Sequence, residues 1–244
     1  MTAWSVRFLA YVLALAMCAT PACAQEQVTF AAVTDLDTRI GAEVLRVAYA
    51  KLGIAIKGKE LPAARALALS NDGVLDGEIN RIEGMEKLYP NLIRVPVAIG
   101  QMEGVVFTKG LNFPVTGWDS LRPYRIGTRI GLKFAELGTV GMNVERVSTV
   151  EQSFAKLAAG RVDVVVEARL SGLWQLQLAG LRGIAPLEPP LVKFRLFHYL
   201  HKKHANLVPR ITAVLEKMQA DGQLQALRKE AIARYLGSAA PVIP

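Results

Sequence analysis

The chain has 244 residues, 52% of them hydrophobic and 20% charged, with a formal net charge of +8. That size and balance suit one or two ordinary globular units with a core large enough to stand without disulfide staples. The basic balance fits anionic ligands or a generic soluble surface, and no block of consecutive basic residues with interleaved aromatics points to nucleic acid.

The first stretch, "MTAWSVRFLAYVLALAMCATPACAQ", stands apart from the fold. Arg7 precedes an apolar run from Phe8 to about Ala19, and Ala22-Cys23-Ala24 is a small-x-small cleavage site. This is the layout of a secretory signal peptide. The run is too short, and too interrupted by Thr20 and Pro21, for a membrane span of about 20 apolar residues. Residues 1–24 are therefore expected to be a signal peptide, and the mature chain a periplasmic protein that does not span the membrane. A lipid anchor through Cys18 or Cys23 fits less well, because Met17 precedes the one and Thr20-Pro21-Ala22 the other. Both cysteines fall in the removed segment, so no disulfide is expected. Without Arg7, 28 basic residues stand against 21 acidic ones, a net +7.

Strand and helix then alternate. "VTFAAV" (28–33) reads as a strand, and an apolar helical pattern runs from about Ile40 to Leu52, stopped by Gly53. "IAIKGKEL" (54–61) is a second strand, and Pro62 opens a helix that ends at the C-cap signal Asn71-Asp72-Gly73. "VLDGEIN" is a third strand, and "LIRVPVAI" with "GVVFT" extends the chain to Thr108. After the turn-rich "KGLNFPVTGWDSLRP" the pattern restarts with "YRIGTRI", "LKFAELG", "VERVS", "VEQSFAKLAAG" and "RVDVVVEA". One echo links the halves. Residues 69–76 and 157–163 both read helix, Gly, two residues, Asp, strand. The tail is two helices broken at Asp221-Gly222. Such alternation predicts an α/β fold with mostly parallel sheets flanked by helices.

Three segments carry a family resemblance: "LPAARALALSNDGVLDG", "TVEQSFAKLAAGRVDVVVEA" and "AVLEKMQADGQLQALRKEAIARYL". With the signal peptide, they make the chain similar to the bacterial extracellular solute-binding proteins of family 3, the polar amino-acid class. The resemblance implies a two-lobed periplasmic-binding-protein-like (type II) fold with two sheets and two crossover strands. On that template residues 25–100 and 191–244 form lobe 1, and residues 101–190 form lobe 2. The crossings would fall near Gly100-Gln101-Met102 and Pro189-Pro190. It also implies a monomer that closes on a small organic ion, an amino acid or another carboxylate, and hands it to an ABC importer permease; a sensor or accessory role is the rival. The chain departs from the pattern in two places. "TDLDTRIG" has no aromatic-Pro stacking element, and Arg81 arrives without a Ser-rich segment before it.

In open α/β sheets, ligands sit outside the carboxyl ends of the strands. Those ends are Thr34-Asp35, Glu60, Asn80-Arg81, Arg129 and Glu167. Arginines there can grip a carboxylate with paired hydrogen bonds, and carboxylates can hold an ammonium. The candidate ligand-binding residues are thus Arg65, Arg81, Arg129, Glu167, Asp35, Glu78, Asn80 and Lys133. Five of them have a plainer alternative. Arg81 could pair with Glu78 or Glu83, Arg65 with Asp76 or Glu78, and Glu167 with Arg161 or Arg169. Arg129 could be a solvated loop cation, and Asp35 an N-cap. Trp118 and Tyr199 read as packing residues. The histidines of "HYLHKKH" are spaced by three, which suits neither a helical metal pair nor one face of a strand. No metal or other cofactor is expected. Without a nucleophile motif the chain reads as a non-enzyme. A lyase or dehydratase using Glu78 or Glu167 as general acid is the alternative.

Overall fold

The computed structural model describes residues 26–237, so the segment expected to be a signal peptide and both cysteines lie outside the described residues. Strand β1 (Gln27–Ala32) leads into helix α1 (Leu36–Ala50), then β2 (Ala55–Glu60), α2 (Ala63–Asn71) and β3 (Gly77–Ile82). Helix α1 begins earlier than its apolar periodicity suggests because Asp35 caps it, accepting from the Thr38 amide at 2.8 Å. Strand β3 begins later than expected; Val74 and Leu75 belong to the turn before it.

A short helix α3 (Met85–Leu88) precedes β4 (Leu92–Lys109), which runs unbroken where two apolar segments were read. The second half contains β5 (Ile126–Arg129), α4 (Lys133–Gly138), β6 (Val144–Val147), α5 (Val150–Ala158) and β7 (Val164–Ala168). Helix α6 (Arg169–Leu178), β8 (Ile184–Pro186) and β9 (Val192–His201) follow. The tail is α7 (Leu207–Ala220) and α8 (Gln223–Leu236), parted at Gly222, whose φ of +76° only glycine adopts freely. No helix among the described residues is long and apolar enough to cross a membrane.

The fold is mixed α/β and two-lobed. The sheets expected for the two lobes join into one nine-stranded sheet of order β2-β1-β3-β9-β4-β7-β5-β6, with β8 on β4. Strands β1, β2 and β3 pair in parallel, as do β5, β6 and β7, while β4 and β9 run antiparallel between them. The core divides accordingly. One cluster joins Phe30, Val44, Tyr49, Ile79 and Ile99 to Ile211 and Leu215 of α7. Others collect Val106, Ile126, Phe134 and Val164, or Phe107, Phe154 and Val165.

The sequence echo has a physical basis. The Asp76 amide donates to the Thr29 carbonyl at 2.8 Å and the Asp76 carboxylate accepts from the Thr29 amide at 2.6 Å. Asp163 makes the same two bonds with Arg125, both at 2.8 Å. In each half an aspartate after a helix clamps the start of the neighbouring strand.

Two irregularities aim side chains. Strand β3 bulges against β9: Glu78 faces Tyr199 and Arg81 faces Phe197, so Ile79 and Asn80 share the place opposite His198. Such an extra residue breaks alternation and turns the strand. Strand β4 slips against β9 between Arg94 and Ala98, around Pro96, which has no amide to give the ladder. Gly77 is obligatory beside the bulge, since a Cβ there would lie 2.0 Å from the Tyr199 carbonyl oxygen.

The three histidines go to different places. His198 is fully buried; its Nδ1 donates to the carbonyls of Glu78 and Ile79 at 2.7 and 3.3 Å, so its Nε2 accepts from the Tyr49 hydroxyl at 2.9 Å. Burial pushes its pKa down to about 4, and the ring is neutral at neutral pH. His204 bonds Asp76, and His201 Nδ1 accepts from the Lys203 amide. Tyr49→Phe leaves the His198 acceptor unpaired in the core, which should lower the free energy of unfolding by about 1–3 kcal/mol. Urea denaturation with unchanged far-UV circular dichroism of the native state would check it; an unaltered midpoint would mean the bond contributes nothing.

Candidate functional site

An open cleft with about 610 Å³ of empty space, solvent-facing volume included, lies at the carboxyl ends of β1, β3 and β5. Asp35, Asp37 and Thr38 enter it from the start of α1, Asn80 and Arg81 from the end of β3, and Arg129 and Lys133 from the end of β5 and the start of α4. Its apolar lining includes Leu67, Met85, Met102, Phe134 and Leu196. The β3 bulge explains why two consecutive residues, Asn80 and Arg81, both reach the cleft when regular pleating would send them to opposite faces.

Arg129 is the centre of the charge network. It is 8% exposed; its Nε donates to Glu167 Oε2 at 2.8 Å, and its Nη2 lies 3.4 Å from Glu167 Oε1. The same Nη2 is 3.6 Å from Asp35 Oδ2, so the guanidinium links the end of β5 to the start of α1. Burial works against its charge, but Glu167 and Asp35 outweigh burial and raise its pKa. Glu167 is fully buried on β7, beside β5, and its Oε1 also accepts from the Ala168 amide at 2.8 Å.

Arg81 is likewise occupied. Its Nε and Nη2 lie 2.8 and 2.7 Å from Glu78 Oε2, and Nη2 also donates to the Ala63 carbonyl at 3.2 Å. Glu78 is buried behind it, and burial pushes its pKa up despite Arg81. Asn80 holds the floor, accepting from the Thr38 hydroxyl and donating to the Asp37 carbonyl, both at 3.0 Å. Lys133 pairs at 2.8 Å with Glu136 and remains half-exposed at the rim.

Five of the eight sequence candidates therefore line the cleft: Asp35, Asn80, Arg81, Arg129 and Lys133. Glu78 and Glu167 stand directly behind two of them as counter-ions. Arg65 does not join them: it is exposed on α2 and absent from the lining. The partners expected for it, Asp76 and Glu78, are held by Lys203 with His204 and by Arg81. Glu60 is outside as well, paired with Arg39 on the surface.

The periodicity missed Asp37 and Ser171. Asp37 sits in the first turn of α1 and is 8% exposed. Burial, with Asp35 nearby, lifts its carboxyl to about 7. Ser171 of α6 reaches the start of α1: its Oγ accepts from the Leu36 amide at 3.2 Å and lies 3.4 Å from Asp37 Oδ2. It thereby satisfies one of the amides that a helix start leaves open. Beside it, Leu36, Ile40, Leu170, Ile232 and Leu236 form an apolar cluster of α1, α6 and α8, with the Arg39 guanidinium 5.2 Å from the Trp174 ring centroid.

Comparison with known proteins supports the architecture. No family model matches the chain. An uncharacterized protein of Shewanella oneidensis is 28% identical over 200 residues, covering 77% of this chain and 74% of its own. Among solved structures, a histidine kinase sensor domain with similarity to periplasmic binding proteins superposes with a TM-score of 0.73 at 18% identity, covering 87% of this chain and 97% of that one. An amino acid ABC transporter substrate-binding protein of Streptococcus pneumoniae bound to L-arginine gives 0.68 at 12% identity, covering 86% and 96%. The chain has the two-lobed periplasmic-binding-protein fold.

Two outcomes test the network. Arg129→Met strands the Glu167 carboxylate in the interior, and removing one partner of a buried pair costs about 3–5 kcal/mol. A smaller loss in chemical denaturation would mean that the Arg129–Glu167 pair contributes little to the folded state. For Asp37, the folded carboxyl keeps its proton from pH 3.8 to about 7 while the unfolded one has lost it. The native state binds more protons there, so this group's contribution to stability falls as pH rises. Relative to the wild type, Asp37→Asn should gain about 3 kcal/mol between pH 4 and pH 7. Parallel stability–pH curves for the two proteins would refute the assignment.

Proposed function

We propose that the protein is a periplasmic solute-binding protein that closes around a small zwitterion, an amino acid, and serves as the receptor of an ABC importer. The observation that carries this reading is the cross-cleft pair of Asp35 and Arg129 at 3.6 Å. An ammonium would take the Asp35 side, and a carboxylate would take the guanidinium edges of Arg129 and Arg81. Desolvation between the lobes strengthens both contacts. A dicarboxylate or phosphate fits less well, because Glu78, Glu167 and Asp35 already neutralise both arginines and Asp37 adds a further acid. On this reading lobe 1 is residues 25–100 with 191–244, lobe 2 is residues 101–190, and closure bends the two crossing segments between them.

Binding is favoured over a lyase or dehydratase because Glu78 and Glu167 are buried and held by arginines rather than free at the cleft surface. The likeness to a kinase sensor domain supports a second reading, in which the same closure signals to a membrane partner instead of feeding a permease. Pull-down with a permease or with a sensor kinase would separate the two.

A thermal-shift screen of the mature chain tests the ligand class. An amino acid at 100 times its dissociation constant should add about 2.7 kcal/mol of stability. Asp35→Asn keeps a good N-cap for α1 yet removes the charge, so it should abolish the response while lowering the unliganded melting point less than Arg129→Met does, because Glu167 stays paired. Equal stabilisation of both proteins by phosphate or a dicarboxylate would sink the zwitterion reading.

A further inference from the structure

Every polar residue that lines the cleft already has a partner within the protein. Arg81 and Arg129 hold Glu78 and Glu167, Lys133 holds Glu136, and Asp35 caps α1. Thr38 and Asn80 bond each other, and Asp37 lies beside Ser171. Apart from Gly131 the rest of the lining is apolar, and it begins directly beyond each arginine. On one wall Arg81 bonds the Ala63 carbonyl at 3.2 Å, and Leu67 follows one turn further along the same face of α2. Ile82 comes next after Arg81 in β3, and Met85 opens α3. On the other wall Phe134 lies in the first turn of α4, shortly after Arg129.

These walls are the ends of two separate cores. Leu67 and Met85 belong to a cluster with Phe197 and Tyr199. Phe134 belongs to another, built on Val106, Ile126 and Val164, against which Met102 packs. The floor between them is sheet. Leu196 of β9 stands opposite Ile82 of β3 on one side and Gly100 of β4 on the other, and Met102 of β4 stands opposite Phe194. Residues directly opposite, or two apart on one strand, point to the same face, so Ile82, Leu196 and Met102 make one apolar floor. Phe134 is pressed onto that face, since a Cβ on Gly104 would lie 2.4 Å from its ring. Ile82 and Met102 are only half-buried, which leaves apolar surface open to the cleft.

We propose that this apolar part of the cleft receives the ligand's side chain, so that the protein selects amino acids with an aliphatic side chain over polar ones. This rests on the amino-acid reading of the cleft. Arg81 and Arg129 stand where the polar lining gives way to the apolar one. A carboxylate held there directs the side chain between Leu67 and Met85 on one wall and Phe134 on the other, above Met102 and Leu196. An aliphatic group in that place joins two hydrophobic clusters that the cleft parts, and each methylene it buries strengthens binding about fourfold. A polar group there finds no unpaired partner and loses its water without compensation. The two methionines, unbranched and flexible, fit the space to the length of the side chain.

Titration calorimetry of the mature chain with L-leucine, the nearly isosteric L-asparagine and L-alanine is the test. Leucine should bind at least tenfold more tightly than either of the others. Met102→Gln keeps the length of the side chain and makes the floor polar, so it should lower the leucine-to-asparagine ratio about tenfold. Met102→Leu keeps the floor apolar and should retain most of that ratio. Asparagine or alanine binding as tightly as leucine overturns the subsite while leaving the cleft reading intact. So does a ratio that Met102→Gln leaves unaltered, or one that falls equally in Met102→Leu. Failure of all three amino acids to bind the wild type overturns both.

Discussion

A guanidinium that has left water must be surrounded by acceptors, and much of this molecule's arrangement follows from meeting that demand at Arg129. Glu167 can answer it because β5 and β7 are parallel neighbours whose carboxyl ends finish side by side. Their interiors, Ile126 and Val164 to Val166, are apolar and fully buried, which leaves charge only at the tips. The remaining coordination comes from Asp35, which is also the cap of α1. One aspartate thus fixes a helix start and a contact between the start of α1 and the end of β5 together. Leu36 then presents its open amide to Ser171, and the apolar cluster of α1, α6 and α8 seals the same boundary.

The opposite wall solves a related problem by different means. Strand β3 carries Glu78, Asn80 and Arg81 in close succession, and a regular strand would either send Arg81 to the core side with Ile79 or turn Glu78 and Asn80 to the core and expose Ile79. The bulge removes the conflict. Ile79 stays in the core, Asn80 and Arg81 face the cleft, and Glu78 turns inward to neutralise Arg81. His198 holds the distortion by donating from one ring nitrogen to two successive β3 carbonyls, and because the ring is neutral its other nitrogen accepts from the Tyr49 hydroxyl. A buried histidine in the core is in this way tied to the aim of a residue in the cleft.

The architecture and the position of the cleft were legible because both depend on local signals. Apolar runs, Gly stops and the recurring aspartate turn are each contained in a few residues, and the rule that ligands gather at strand carboxyl ends needs only those ends. Asp35, Asn80, Arg81 and Arg129 are found that way. Pairing was less legible. Nothing local distinguishes a guanidinium facing solvent, as Arg65 does, from one already occupied, as Arg129 is, since Glu167 lies 38 residues away from it. The early start of α1 was visible in principle, since Asp35 precedes the helix at capping distance from Thr38.

The way the charges are paired bears on selectivity as well as on folding. A cleft lined by bare arginines would attract any anion, and discrimination would rest on shape alone. Here each cleft-lining arginine arrives with a carboxylate at its back, so an anion gains little Coulomb energy beyond what the protein already supplies. A ligand bringing both signs can replace the cross-cleft contact on each side without leaving either charge stranded, whereas a ligand bringing one sign must strand the other. The desolvation cost that makes a buried ion pair a weak source of stability then becomes a penalty directed at the wrong partner, which is one physical route to specificity.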